Sequence, residues 1–380
     1  MSAAPALATH VEAYPALAPP LLRVYASRRD GKPLEGGLQA AVAVRESGMV
    51  EVAFADESLL AMGVMAKGGY KAKATTVCLP LRLTKGNPVR ILRHEDHVEV
   101  VLRFESKNTA LLEARPDADD GRALQRVIEQ EGALALACRA CGEVVAGGLR
   151  TTRPLPSSPL WSEDALTWHC AGCCGDAGLH ALDEAGERLA PAGDEVLVGP
   201  SVCVLRREAS PTRELGDDDD VVRQHACQAC NACIGVALPA AGTVSLFKHR
   251  VHVCGHESIL MRHTALTALA VDIGAAQRTR GTSHFTAGAL PDGTGAPQEV
   301  LKIATLGVEC WVGEQLLPAI RVSFEDGGAA DEDEDGDALA LRLPPNDAAD
   351  VRAHLADLNL NLPPSRRCFM GAPIALVRLL

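Results

Sequence analysis

Cys138 and Cys141 stand as Cys-x2-Cys in CRACGEVV, and Cys170 and Cys173 repeat the spacing in TWHCAGCC, with Cys174 beside them. Two thiolates at this spacing converge on one ion from a tight turn, and Gly142 lets the backbone bend around it. Two such pairs complete a tetrahedral shell of four sulfurs, so structural zinc is the expected cofactor. Buried, unliganded thiols are the alternative. A thioredoxin-like redox pair opens a helix after a strand. Here GEVVAGG reads as strand and turn, so redox chemistry is not expected.

A second cluster, Cys227, Cys230 and Cys233, has Cys254 or His256 as candidates for a fourth ligand and makes a second zinc site possible. CRACGEVV and CNACIGVAL echo each other, each a Cys-x2-Cys followed by Gly and an apolar strand, as two related knuckles would. His249 and His252 fall on opposite faces of a strand FKHRVHV and are not expected to share a metal. Cys78, Cys203 and Cys310 sit in apolar strand patterns and read as core. Cys368, in SRRCFMG, adjoins Arg366 and Arg367, which favour its thiolate, and it is the one catalytic candidate. The bridge RPLPSSPLW, with Pro154, Leu155, Pro156, Ser157 and Trp161, runs extended and is pinned by burial of Trp161. It serves either as a loop packed on the knuckle or as a partner-docking surface.

The elements that must position these residues are mostly strands. VAVRESGMVEVAF reads as a hairpin around Ser47-Gly48, and HVEVVLRFE as a half-buried strand with Val98, Val100, Leu102 and Phe104 inward. GRALQRVIEQEG is a short helix with Leu124, Val127 and Ile128 on one face. TVSLFKHRVHV reads as one strand. ESILMRHTALTALAVDIGAAQ reads as a helix capped by Ser258, with Leu266, Leu269, Ala270 and Ile273 at helical spacing. NDAADVRAHLADL forms another, with Val351, Leu355 and Leu358 inward. The fold class is α+β and β-rich: antiparallel sheets with zinc-knuckle insertions and a few helices in the C-terminal half. Expected divisions are a flexible start at 1–20, a β-rich domain at 21–210 carrying the knuckle at 138–174, an acidic linker at 211–222, and an α+β domain at 223–380.

Of the 49 acidic residues, 12 lie in two runs, Asp217 to Asp220 and Glu325 to Asp337, leaving 37 against 37 Lys and Arg. The net charge of -12 therefore sits in two runs expected to be solvated loops, and direct nucleic-acid binding, which needs a basic face, is not expected. The opening residues lack a basic segment and are interrupted by Pro5, Pro15, Pro19 and Pro20, so neither an export signal nor a membrane span is expected. With 13 cysteines, the expected compartment is a reducing one, cytoplasm or nucleus.

At CRACGEVV, PLPSSPLW ahead of TWHCAGCC, DEVLVGPSVCVL, CNACIGVAL with SLFKHRV, and LPPSRRCFMGAPIALVRL, the chain resembles the HECT-like ubiquitin-conjugating-enzyme-binding proteins. The resemblance implies binding to a ubiquitin-conjugating enzyme and assistance of ubiquitin transfer, in the manner of a ubiquitin-protein ligase. Fungal relatives imply a different role, as a non-enzymatic assembly factor for the mRNA 3′-end-processing endonuclease. The resemblance assigns Cys138, Cys141, Cys170 and Cys173 or Cys174 to a first knuckle and Cys230 and Cys233 to a second. It marks Pro154, Leu155, Pro156, Ser157 and Trp161 as the signature bridge.

Overall fold

The computed structural model describes residues 7–14, 21–28, 38–44, 50–56, 75–79, 89–104, 117–155, 191–210, 213–215, 223–238, 242–289, 300–306, 310–312, 317–327, 338–344 and 347–379. The β-rich α+β class is present: strands dominate and most pair antiparallel, with three α-helices among the described residues, α1 (Asp117–Glu131), α2 (Ala265–Arg280) and α3 (Asp347–Leu360). None of these helices is long and apolar enough to cross a membrane. The chain forms two compact units interleaved in sequence, one from 1–114, 304–325 and 353–379, the other from 115–303, 326–352 and 380.

In the first unit Leu7–Tyr14 pairs with Leu21–Arg28, which pairs with His97–Arg103, which pairs with Arg90–Arg93. The hairpin expected around Ser47-Gly48 is the antiparallel pair Leu38–Val44 and Val50–Asp56, joined by Thr75–Leu79. Strand alternation sends Val11, Leu22, Val24, Val98, Val100 and Leu102 to one face, where they pack with Val50, Val52, Phe54 and Val77. The opposite face carries His10, Glu12, Arg23, Tyr25, His97 and Glu99. HVEVVLRFE suggests a half-buried strand with Glu99 in water, yet Glu99 is only 1% exposed. It tolerates burial because Arg23 and Arg366 hold its carboxylate, at 3.2 and 2.9 Å.

In the second unit Glu195–Val198, Val202–Arg206, Thr243–Phe247, Cys233–Leu238 and Arg223–Ala226 follow one another antiparallel, with Thr151–Pro154 added parallel at one edge. A second sheet sets Leu134–Cys138 between Val144–Leu149 and Val251–Val253. α1 buries Leu124, Val127 and Ile128 as its spacing predicts, in one core with Leu136, Val145, Ile234, Leu246 and Val253. Strands on both sides of the acidic run at 211–222 thus share a sheet; residues 216–222 themselves lie outside the described residues.

Two elements differ from their sequence patterns for one reason. TVSLFKHRVHV is a strand to Phe247, a 3-10 turn over Lys248–Arg250, and a new strand at Val251. The break lets Lys248, fully buried, aim its ammonium at Asp120, 2.8 Å away, and at the Pro200 carbonyl. His263 Nε2 lies 2.7 Å from the same carboxylate, and Arg262 binds its other oxygen. Holding residues 262 and 263 on Asp120 delays the helix expected from Ser258. α2 starts at Ala265, capped by Thr264 in a reciprocal capping box with Thr267. Burial acts to raise the Asp120 carboxyl, but the His263 hydrogen bond and the Lys248 charge outweigh it and hold the pKa at about 2.

That value lies below the ordinary 3.8, so the carboxylate's contribution to stability is complete above about pH 4 and is lost as pH falls toward 2. In Asp120→Asn the buried ammonium loses its charge partner. The expected cost in urea unfolding at pH 7 is about 3–5 kcal/mol, with a smaller remaining decline between pH 4 and 2 than in the parent.

Candidate metal centre

The strand Leu134–Cys138 delivers Cys138 at its end, and Cys141 follows in the turn to Val144–Leu149. Within that turn the Cys138 N–H donates to the Glu143 carbonyl at 2.8 Å, and the Gly142 N–H donates back to the Cys138 carbonyl at 2.8 Å. The turn between Arg223–Ala226 and Cys233–Leu238 repeats the pattern: Cys227 N–H to the Ala232 carbonyl and Asn231 N–H to the Cys227 carbonyl, both 2.9 Å. The residue after each pair's second cysteine is left-handed, Gly142 at φ 78° and Asn231 at φ 60°. Gly and Asn are the residues that enter this region most readily. The second copy of the knuckle is thus Cys227-x2-Cys230, three residues ahead of the Cys230-x2-Cys233 of CNACIGVAL that the sequence echo pairs with CRACGEVV. Gly235 of the second copy lies against its neighbouring strand so closely that a Cβ would sit 2.3 Å from the Ser245 carbonyl oxygen.

The two knuckles face each other. Cys138 Sγ is 3.7 Å from Cys230 Sγ, Cys141 Sγ is 3.6 Å from Cys227 Sγ, and all four sulfurs lie within 4.8 Å of one another. A disulfide needs sulfurs about 2.05 Å apart, so these are not bonded pairs. Four sulfurs each about 2.3 Å from a central ion form a tetrahedron with edges of about 3.8 Å, close to the separations seen. The four cysteines can thus hold a metal ion. Cys138 and Cys227 are buried, Cys141 and Cys230 exposed, so the ion would sit at the surface on an apolar floor.

Without an ion, crowding makes four thiolates unfavourable. Burial pushes the Cys138 thiol up to about 12, against the pull of the Ala140 and Cys141 N–H groups. The Cys230 thiol is lowered, first by the Ala232 N–H. Binding of a cation displaces the protons that the crowding retains, so affinity weakens as pH is lowered.

Arg139, between the first two cysteines, fixes the knuckle to its support. Its N–H donates to the Arg250 carbonyl at 2.9 Å, and its guanidinium donates to the carbonyls of Leu260, His263 and Lys248 at 2.8, 3.0 and 3.3 Å. The SLFKHRV stretch is thus a clamp: Lys248 on Asp120, His249 and Arg250 on Asp347, and its backbone on the knuckle. His249 and His252 do not share the strand expected of them: His249 lies in the 3-10 turn, buried on Asp347, and His252 is half-buried in the strand that follows.

The sequence pairs Cys138 and Cys141 with Cys170 and Cys173; the structure brings them together with Cys227 and Cys230. Cys170, Cys173 and Cys174 lie outside the described residues. Spacing along the chain ranks the nearer pair first, whereas pairing of Val251–Val253 with Leu134–Cys138 joins segments that are distant in sequence. Cys233 and Cys254, expected to complete a separate second site, stand outside the cluster. Cys233 begins a strand with its thiol toward the Gly235 carbonyl, and burial pushes its pKa up to about 11. Cys254 follows Val251–Val253 and its N–H donates to the Ala135 carbonyl. His256 pairs with Glu131 at 2.7 Å. Cys203 is buried in its strand and Cys78 is half-buried.

Of the bridge, Pro154 ends an edge strand and Leu155 is buried with Leu197 and Val204, its N–H donating to the Val198 carbonyl at 3.0 Å. Pro156, Ser157 and Trp161 lie outside the described residues. Cys368 is exposed in a two-residue strand paired with Ala372–Pro373. Its arginine neighbours are engaged elsewhere, Arg366 on Glu99 and Arg367 on the carbonyls of Leu360 and Leu362.

A family model described as HECT-like ubiquitin-conjugating enzyme (E2)-binding matches residues 51–374, a span containing all four clustered cysteines and Cys368. Neither the curated proteins nor the solved structures yield a significant match.

A single centre shared by two knuckles predicts that Cys138→Ser, Cys141→Ser, Cys227→Ser and Cys230→Ser each release the tightly held metal in elemental analysis. Cys233→Ala and Cys254→Ala should retain it at the parent stoichiometry.

Proposed function

Because the chain belongs to the HECT-like ubiquitin-conjugating-enzyme (E2)-binding family, we propose that it binds a charged ubiquitin-conjugating enzyme and promotes transfer of ubiquitin to protein substrates. The match over residues 51–374 is the observation that carries this reading. We further propose that the ion at Cys138, Cys141, Cys227 and Cys230 is zinc in a structural role. A closed shell of four thiolates suits zinc and leaves no open position for a reacting water. Such a centre also fits a reducing compartment, cytoplasm or nucleus.

On this account the thioester chemistry stays on the conjugating enzyme. The chain contributes proximity and orientation, which raise the rate at which an acceptor amine meets the thioester carbonyl. The amine attacks that carbonyl, the conjugating enzyme's cysteine leaves as thiolate, and an amide replaces the thioester. The arrangement around Cys368 supports an adaptor, since the guanidinium groups of Arg366 and Arg367 are engaged by Glu99 and by the Leu360 and Leu362 carbonyls. Leu155, anchored by its burial against Leu197 and Val204, fixes the point from which the rest of the signature segment departs as a docking surface.

The test is discharge of ubiquitin from a purified, charged conjugating enzyme. Acceleration of about tenfold or more is expected, unchanged in Cys368→Ala and lost together with zinc in Cys227→Ser. Discharge no faster than with buffer, across a panel of conjugating enzymes, overturns the reading and leaves the assembly-factor role. A reducing-agent-sensitive ubiquitin adduct that disappears in Cys368→Ala would move the chemistry onto this chain.

A further inference from the structure

The first unit buries a polar sheet face that the ubiquitin reading does not use. Neighbouring strands place His10 and Glu12, then Arg23 and Tyr25, then His97 and Glu99 side by side on it, and Glu12, Tyr25, His97 and Glu99 are each at most 1% exposed. Burial of this much polar surface costs stability unless every group is paired. At one end, the hairpin between Arg90–Arg93 and His97–Arg103 closes through the His94 N–H on the His97 carbonyl. This stacks the two imidazoles with centroids 4.2 Å apart and planes 9° from parallel.

The proton positions follow from the partners. Asp96 accepts from the Ser365 N–H at 2.8 Å and from the Ser365 hydroxyl at 3.1 Å. A carboxylate only accepts, so His97 Nδ1, 2.8 Å away, carries a ring proton toward it. Nε2 is buried with no acceptor to receive a second proton and is left as a bare lone pair. A carboxylate on one ring nitrogen and a lone pair presented by the other is how a metal-bound histidine is held. One nitrogen of His94, one of His97 and a carboxylate oxygen of Glu99 lie within 4.8 Å of one another, with His94 Nε2 3.6 Å from Glu99 Oε2.

We propose that His94, His97 and Glu99 form a site for a divalent transition-metal ion, with Asp96 orienting His97 and the exposed His94 ring turning out of the stack to bring its in-plane lone pair to the ion. Two imidazoles and a single carboxylate favour a borderline ion such as Zn²⁺, Co²⁺ or Ni²⁺ over Ca²⁺ or Mg²⁺, which require a shell of oxygens. Arg23 and Arg366 neutralise Glu99 when no ion is bound, so the ion shares that carboxylate with two guanidinium groups. The site therefore binds more weakly than four thiolates and is filled reversibly. It rests on the first unit alone and stands or falls independently of the ubiquitin reading.

The experiment uses the full chain with its thiolate centre already loaded and assayed, titrated with Zn²⁺ by calorimetry and with Co²⁺ by absorbance. A further equivalent is expected, with visible Co²⁺ bands of nitrogen and oxygen ligation. Its affinity should fall about tenfold or more in His94→Ala, and uptake should vanish in His97→Gln. His94 is partly exposed and its substitution leaves the fold intact, checked by an unchanged melting temperature. The His97 ring signals should shift in nitrogen-15 NMR on Zn²⁺ addition. No uptake beyond the thiolate centre, or uptake unaltered in His94→Ala, overturns the site.

Discussion

Four sulfurs from two distant turns must meet within a few ångströms, and the second unit is organised around that requirement. Cys138 and Cys230 are 92 residues apart in sequence. No local preference brings them together; long-range strand pairing does. Val251–Val253 aligns on Leu134–Cys138, while Cys233–Leu238 aligns on Thr243–Phe247, and the short turn at Lys248–Arg250 joins the two pairings. A metal ion closing both knuckles at once contributes its binding free energy to the folded state alone, since no such cage exists in an unfolded chain.

The same turn concentrates the buried charge. Lys248 points to Asp120, His249 and Arg250 to Asp347, and the backbone carbonyls of Lys248 and Arg250 accept from Arg139 of the first knuckle. Removing one partner would leave a charge stranded in an apolar setting, which costs far more than a surface pair contributes. The centre thus stands on satisfied polar contacts as well as on an apolar core, in which Leu136, Ile234 and Val253 are buried together with Cys138 and Cys227. In an architecture of this kind the cysteines give shape to a surface, and the transfer chemistry proposed for the protein belongs to its partner.

Local features were legible in the sequence because their causes are local. The knuckle turn needs a residue that tolerates positive φ, and Gly142 announces it; Asn231 is the same signal in a less obvious residue. The faces of α1 and α3 follow from spacing, as Leu124, Val127, Val351 and Leu355 all pack inward. The β-rich class follows from alternation and turn residues. What one-dimensional reading misses is long-range: which Cys pair joins Cys138 and Cys141, why a strand breaks at a lysine, and why helix α2 waits for Thr264. Each depends on a partner far along the chain, Cys230, Asp120 or His263. Glu99 is the same lesson on the sheet of the first unit, a charge that looks solvent-facing by alternation and is buried because Arg23 and Arg366 come to it.

The central claim, that one ion closes two distant knuckles into a single cooperative centre, is tested most directly by amide hydrogen exchange on the protein with and without a chelator. The account predicts that the protected Gly142 and Asn231 amides lose protection together when the metal is withdrawn, with Val251–Val253 following. Release of one knuckle while the other keeps its protection would contradict it.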